Sequence, residues 1–202
     1  MKEKVVSYFF FKIKNNNKNL SAVKLEEIKY GLYGVYTLVT KTSAIILLSI
    51  LLNFFDKFII FLLFYSLIRS VGYGTHAKSN LMCWIFSTIL LLGIPYIFSI
   101  LTLNNLTKSI IWSICFINYL IFSPADTEKR PMINKYRKLK FKFGILLLSF
   151  IYLVIIIKFN NISNLVLSAM TLEAILTNPL GYLLMGEKIR FRLDDLNIFN
   201  LN

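Results

Sequence analysis

The feature that most constrains this chain is the segment 79–107, which contains no charged side chain. It is longer than the roughly 20 apolar residues that a helix needs to cross a bilayer. Apolar residues make up 56% of the 202 positions, whereas soluble domains contain about 45–50%. The apolar runs are continuous rather than alternating, which argues against a β-barrel. We therefore predict an all-α fold, a polytopic helical bundle in a membrane.

The hydropathy pattern predicts about six transmembrane helices within a membrane domain at 30–186. It is preceded by an amphipathic segment at 1–29, cytosolic or interfacial, and followed by a cytosolic tail at 187–202. The predicted spans are 30–52, 54–70, 81–103, 108–124, 143–159 and 163–185. Glu173 and Asn178-Pro179 are expected to break the last span, and Glu173 should face the bundle interior, with Lys41 as its candidate partner.

The distribution of basic residues predicts the orientation of these spans. Net charge is +13, and nineteen of the 23 Lys and Arg residues fall on one side of the six-span arrangement. By the positive-inside rule that side is cytosolic, together with both termini. The excess charge also suits an anionic inner leaflet. No nucleic-acid partner is indicated, because the basic residues lie between hydrophobic segments.

A second informative feature is the pair His76 and Cys83, seven positions apart at a predicted membrane boundary. His76 is the only histidine, and an imidazole with a thiol is the minimum equipment of a cysteine peptidase or acyltransferase. The alternatives are that Cys83 packs as a small hydrophobe and His76 caps a helix. Cys115 is interpreted as a packing residue. One histidine and two distant cysteines do not predict a metal site.

Geometry constrains how that pair could work. On one straight helix the two residues would be about 10 Å apart along the axis, whereas proton transfer needs hydrogen-bond reach. We therefore expect His76 in a loop or broken helix start and Cys83 in the first turns of the third span. Gly72 and Gly74 would supply a flexible backbone there. An ordinary interhelical turn is the equally simple interpretation of these glycines.

Two segments resemble the accessory gene regulator protein B (AgrB) family. One runs from Arg69 through Gly72, Gly74, His76 and Ala77 to Cys83, with Tyr73 between the glycines. The other is Ser123-Pro124-Ala125-Asp126, followed by Pro131 and a basic stretch. The family consists of membrane-embedded cysteine endopeptidases of Gram-positive quorum sensing.

This resemblance implies a function at the cytosolic face of the cell membrane. An AgrD-like precursor peptide would be cleaved with Cys83 as nucleophile and His76 as its base. The resulting thioester would then be captured within the peptide to give a thiolactone or lactone signal. Candidate residues for binding substrate or supporting the site are Arg69, Gly72, Gly74, Lys78 and Asp126. The alternatives are that Arg69 and Lys78 snorkel and set the topology, and that Asp126 is a plain loop acid beside Pro124. No cofactor is implied, and a homodimer is one candidate assembly.

The second hypothesis is a non-enzymatic peptide transporter or export component. Its support is the pair of intramembrane charges, Lys41 and Glu173, and the helix-breaking pairs Gly93 with Pro95 and Asn178 with Pro179. The substitution Cys83→Ser separates the two hypotheses. It should abolish processing by a peptidase and leave a transporter unaffected.

The predicted orientation can be tested by labelling single cysteines from each side of intact cells. Because the basic residues are so unevenly distributed, positions 132–138 should react only from the cytosol and positions 104–107 only from outside. Labelling of position 134 by an impermeant reagent added outside would overturn the six-span topology.

Overall fold

The computed structural model describes residues 2–17, 20–75, 80–127 and 134–187. Within these ranges the chain is helical, with no strand. The helices are α1 (Lys2–Asn16), α2 (Ala22–Leu51), α3 (Phe55–Gly72), α4 (Asn80–Ile100), α5 (Asn105–Phe122), α6 (Lys135–Lys158), α7 (Asn160–Thr177) and α8 (Pro179–Met185). The all-helical architecture predicted from hydropathy is thus confirmed for the described part of the chain.

Residues 1–53 form one compact unit, in which α1 packs on α2. Val6 is buried at this contact, while Val5 and Phe9 are exposed. The Ser21 side chain accepts a hydrogen bond from the Lys24 amide and caps the start of α2. From there α2 continues without a break through Lys41. Position 30, the predicted start of the membrane domain, lies inside this helix.

Residues 54–202 form the second compact unit, and α7 is its central helix. It contacts α3, α4, α5 and α6 along its length, and most of its side chains are buried. Glu173 does not interrupt this helix, although a charge in an apolar span was expected to do so. The break at the following proline is confirmed: α7 ends at Thr177, and Asn178 caps α8.

Side-chain hydrogen bonds identify the elements that meet at the N-terminal end of α7. Here the Lys108 ammonium of α5 donates to Asn160 Oδ1 at 3.0 Å and to Ser163 Oγ at 2.7 Å. Asn164 donates to the Phe98 and Leu101 carbonyls at the end of α4. Glu173 lies thirteen residues beyond Asn160, which is about 20 Å along a helix. Lys108 and Glu173 therefore belong to opposite ends of the bundle.

Four helices in the described ranges are long and apolar enough to cross a membrane, by length and composition alone. They are Ala22–Leu51, Leu81–Ile100, Asn105–Phe122 and Lys135–Lys158. The predicted second and sixth spans also correspond to helices: α3 contains the charged residues Asp56, Lys57 and Arg69, and α7 begins with two asparagines and contains Glu173. The chain thus has the helices of a membrane protein, while the count of six spans and the cytosolic termini stay predictions.

Candidate active site

The chain leaves α3 at Gly72 and passes directly over the last turn of α7. Thr75 is held there by two bonds to one acceptor: its amide and its hydroxyl both donate to the Leu176 carbonyl, each at 3.0 Å. Thr75 is 2% exposed. Thr75 is therefore anchored to a main-chain group of α7, and this anchor helps to fix the path of residues 73–75.

A buried ion pair between Arg69 and Glu173 also holds residues 73–75. Arg69 Nη1 donates to Glu173 Oε2 at 3.2 Å, and Arg69 Nη2 donates to the Thr75 carbonyl at 2.8 Å. The other carboxylate oxygen of Glu173 accepts from the Gly74 amide at 3.2 Å. The Glu173 side chain is fully buried and that of Arg69 is 19% exposed. Glu173 faces the interior as predicted, but its ion-pair partner is Arg69 and not the expected Lys41.

Gly72 and Gly74 are needed for close approach rather than for flexibility. Neither has a left-handed backbone; in this turn it is Tyr73 that has φ +57°. A Cβ on Gly72 would overlap the Glu173 carboxylate, and one on Gly74 would overlap the Arg69 guanidinium and reach 2.9 Å from Leu176 Cβ. The expected role of the glycines is thus corrected. Their lack of a side chain lets the backbone sit against the ion pair.

Cys83 lies in the first turn of α4, as predicted. Its side chain is half-buried, and its sulfur is 4.0 Å from Ser87 Oγ one turn further along. The Arg69 guanidinium lies within electrostatic range of the Cys83 sulfur. The structure therefore brings Cys83 to the end of the bundle that holds Arg69 and Glu173.

His76 and Lys78 lie outside the described residues. Of the chain between α3 and α4, the structure describes Tyr73 to Thr75. In the sequence, the anchored Thr75 directly precedes His76.

The second motif segment meets the first at this end of the bundle. The Ala125 amide donates to the Gly72 carbonyl at 3.0 Å, and both residues are buried. The main-chain carbonyl of the neighbouring Asp126 accepts a hydrogen bond from Tyr182 Oη of α8 at 2.9 Å. Two segments that are about fifty positions apart in sequence are thus joined by a main-chain hydrogen bond.

Cys115 has a different environment from Cys83. It is 3% exposed within the core formed with Tyr119, Ile145 and Met170, and its sulfur is 3.9 Å from Thr171 Oγ1. Its predicted role as a packing residue is confirmed.

The sequence interpretation missed three contributions to this site. Thr75 and the Leu176 carbonyl were not singled out, and Glu173 was paired with the wrong residue. A partial signal for the ion pair was present, since Arg69 and Glu173 are opposite charges within predicted spans. No sequence signal marks the Leu176 carbonyl, because it is a main-chain group.

Comparison with known proteins points to one family. The family model described as accessory gene regulator B matches residues 4–177. The accessory gene regulator protein B of Staphylococcus carnosus is 33% identical over 135 residues, covering 64% of this chain and 71% of that protein. An AgrB-like protein of Listeria innocua is 27% identical over 81% of each chain. Another, from Clostridium acetobutylicum, is 24% identical over 87% of this chain and 85% of its own length. No solved structure matches the chain significantly.

The close approach at Gly74 leads to a stability prediction. Gly74→Ala should lower the free energy of unfolding by about 1–3 kcal/mol, the usual cost of overpacking, because the new methyl group meets Arg69 and Leu176. Gly93→Ala is the matched control: it lies within α4 with open space around it, so the change should stabilise by about 0.5–1 kcal/mol. Thermal unfolding in detergent measures both. Equal stability of the two variants would contradict the packing described here.

Proposed function

The chain belongs to the accessory gene regulator B family, and we propose that it is a membrane-embedded cysteine endopeptidase that processes an AgrD-like precursor peptide. The observation that carries the proposal is the position of Cys83 in the first turn of α4, within electrostatic range of Arg69. A thiolate is the reactive form of cysteine, and it is favoured near a helix N-terminus and near a basic side chain. The anchored path of residues 73–75 leads directly into His76, the proposed base.

The proposed reaction has two acyl transfers. His76 takes the proton of the Cys83 thiol, and the thiolate attacks the carbonyl carbon of one peptide bond of the precursor. The carbon–nitrogen bond then breaks, His76 returns the proton to the leaving amine, and the C-terminal tail departs. The rest of the precursor stays attached to Cys83 as a thioester.

Ring closure is the second transfer. A Cys or Ser side chain of the bound peptide attacks the thioester carbonyl and passes its proton, through His76, to the departing Cys83 sulfur. The product is a thiolactone or lactone. A thioester retains enough free energy for this step only if water is kept out. A site at the end of an apolar helical bundle supports that requirement.

The export alternative is weakened by the contacts of Glu173. That hypothesis used Glu173 as an intramembrane charge on a transport path, whereas its carboxylate is occupied by Arg69 and by the Gly74 amide. We place the protein in the cell membrane with this end of the bundle facing the cytosol. The basic-residue distribution supports that orientation.

Substitution of the two cysteines tests the nucleophile. Cys83→Ala and His76→Ala should each leave a folded membrane protein that does not cleave its precursor. Cys115→Ala should keep cleavage, because that thiol is buried in the core. The measurement is precursor processing by purified enzyme in liposomes, followed by mass spectrometry for the thioester on Cys83. Continued cleavage by the Cys83→Ala protein would exclude the mechanism.

A charge exchange tests recognition of the precursor's tail, which we expect to be acidic. Lys135, Arg137 and Lys140 are exposed at the start of α6, so they can meet a mobile tail, whereas the nearby Lys142 is buried. Changing the three exposed residues to Glu should slow cleavage of the natural precursor at low salt, since surface attraction acts on encounter and is screened.

The matched control is a precursor whose tail carries basic residues. It should partly restore cleavage by the triple variant when both are assayed in neutral lipid. Equal impairment with both precursors would mean that these residues only set membrane orientation or bind anionic lipid.

A further inference from the structure

Glu173 is a fully buried carboxylate, and burying it is energetically unfavourable. The proposed chemistry does not use it. Its side chain is fully buried within α7. A charged group inside a membrane-embedded bundle is expensive and usually functional. The mechanism with Cys83 and His76 makes no use of it. Something other than packing must therefore account for a carboxylate at this position.

The contacts of Glu173 all lead to one short stretch of chain. One carboxylate oxygen accepts from the Gly74 amide, and the other accepts from the Arg69 guanidinium. That guanidinium in turn donates to the Thr75 carbonyl. The Gly74 amide and the Thr75 carbonyl are thus both held by this buried carboxylate, the first directly and the second through Arg69.

The same arrangement fixes Arg69, which lies within electrostatic range of Cys83. Its guanidinium donates to Glu173 and to the Thr75 carbonyl, so its position depends on the carboxylate. Glu173 therefore holds both the backbone that precedes His76 in the sequence and a basic group near Cys83.

We propose that Glu173 is a positioning residue, which holds Arg69 and the Gly74–Thr75 backbone in the arrangement that the proposed reaction at Cys83 requires. This inference rests on the proposed peptidase function. Its specific content is that Glu173 controls the rate of the chemical step and the reactivity of Cys83, without touching the substrate. A misplacement of about 1 Å at a catalytic group can cost about a hundred-fold in rate.

The main test is Glu173→Gln, which keeps the shape and removes the charge. In reconstituted enzyme, kcat for precursor cleavage should fall about a hundred-fold with KM little changed. In a Cys115→Ala background without precursor, alkylation of Cys83 by iodoacetamide should also slow. A purely structural residue would change the melting temperature and leave kcat and alkylation of the folded fraction unchanged.

Two further variants complete the design. Ser168→Ala is the matched control: Ser168 is equally buried in α7, but its hydroxyl bonds to Leu165 of the same helix, so kcat and alkylation should stay at wild-type values. The double variant Arg69→Met, Glu173→Met replaces the ion pair by apolar side chains, which is often neutral for stability. It should fold and be inactive, and it decides the question if Glu173→Gln does not fold.

The outcomes separate this inference from the proposed function. Wild-type kcat and alkylation in Glu173→Gln, or an active double variant, would overturn the positioning role. The proposed peptidase function would still stand in that case if the Cys83→Ala protein is inactive. Cleavage by Cys83→Ala would remove the proposed function itself. Loss of kcat and of Cys83 alkylation in Glu173→Gln, with Ser168→Ala unaffected, supports the inference.

Discussion

The buried ion pair between Arg69 and Glu173 is the interaction on which the rest of the candidate site depends. Removing one charge from water costs several kcal/mol, and this is offset only when the partner and the remaining hydrogen-bond sites are satisfied. Here the carboxylate is satisfied by the guanidinium and by the Gly74 amide, and the guanidinium also by the Thr75 carbonyl. The pair therefore requires α3, the residues after it and α7 to keep one relative position.

That requirement explains the small residues around the pair. Gly72 and Gly74 lie so close to Glu173 and Arg69 that any side chain would overlap them. Thr75 then satisfies its amide and hydroxyl at the Leu176 carbonyl. The Gly72 carbonyl is taken by the Ala125 amide. These polar groups thus have partners from other segments, as buried main-chain groups require.

The two ends of the bundle differ in chemistry. At the N-terminal end of α7 the Lys108 ammonium donates to neutral oxygens of Asn160 and Ser163, and this contact connects α5 to α7. At the other end a carboxylate and a guanidinium hold a backbone segment that continues into the only histidine of the sequence. Both ends contain buried charge, but only the second places it beside a thiol.

The sequence by itself determined the class of the fold, the approximate helices and the position of Cys83 in the first turn of its helix. Continuous apolar runs dictate helices because lipid cannot satisfy a free backbone, and caps such as Ser21 and Asn178 follow from local hydrogen bonding. Only the tertiary structure decided that Glu173 pairs with Arg69, that the glycines serve close approach, and that Thr75 is anchored to Leu176. Those outcomes depend on which helices pack side by side and on main-chain acceptors. Hydropathy and residue type carry no information about either.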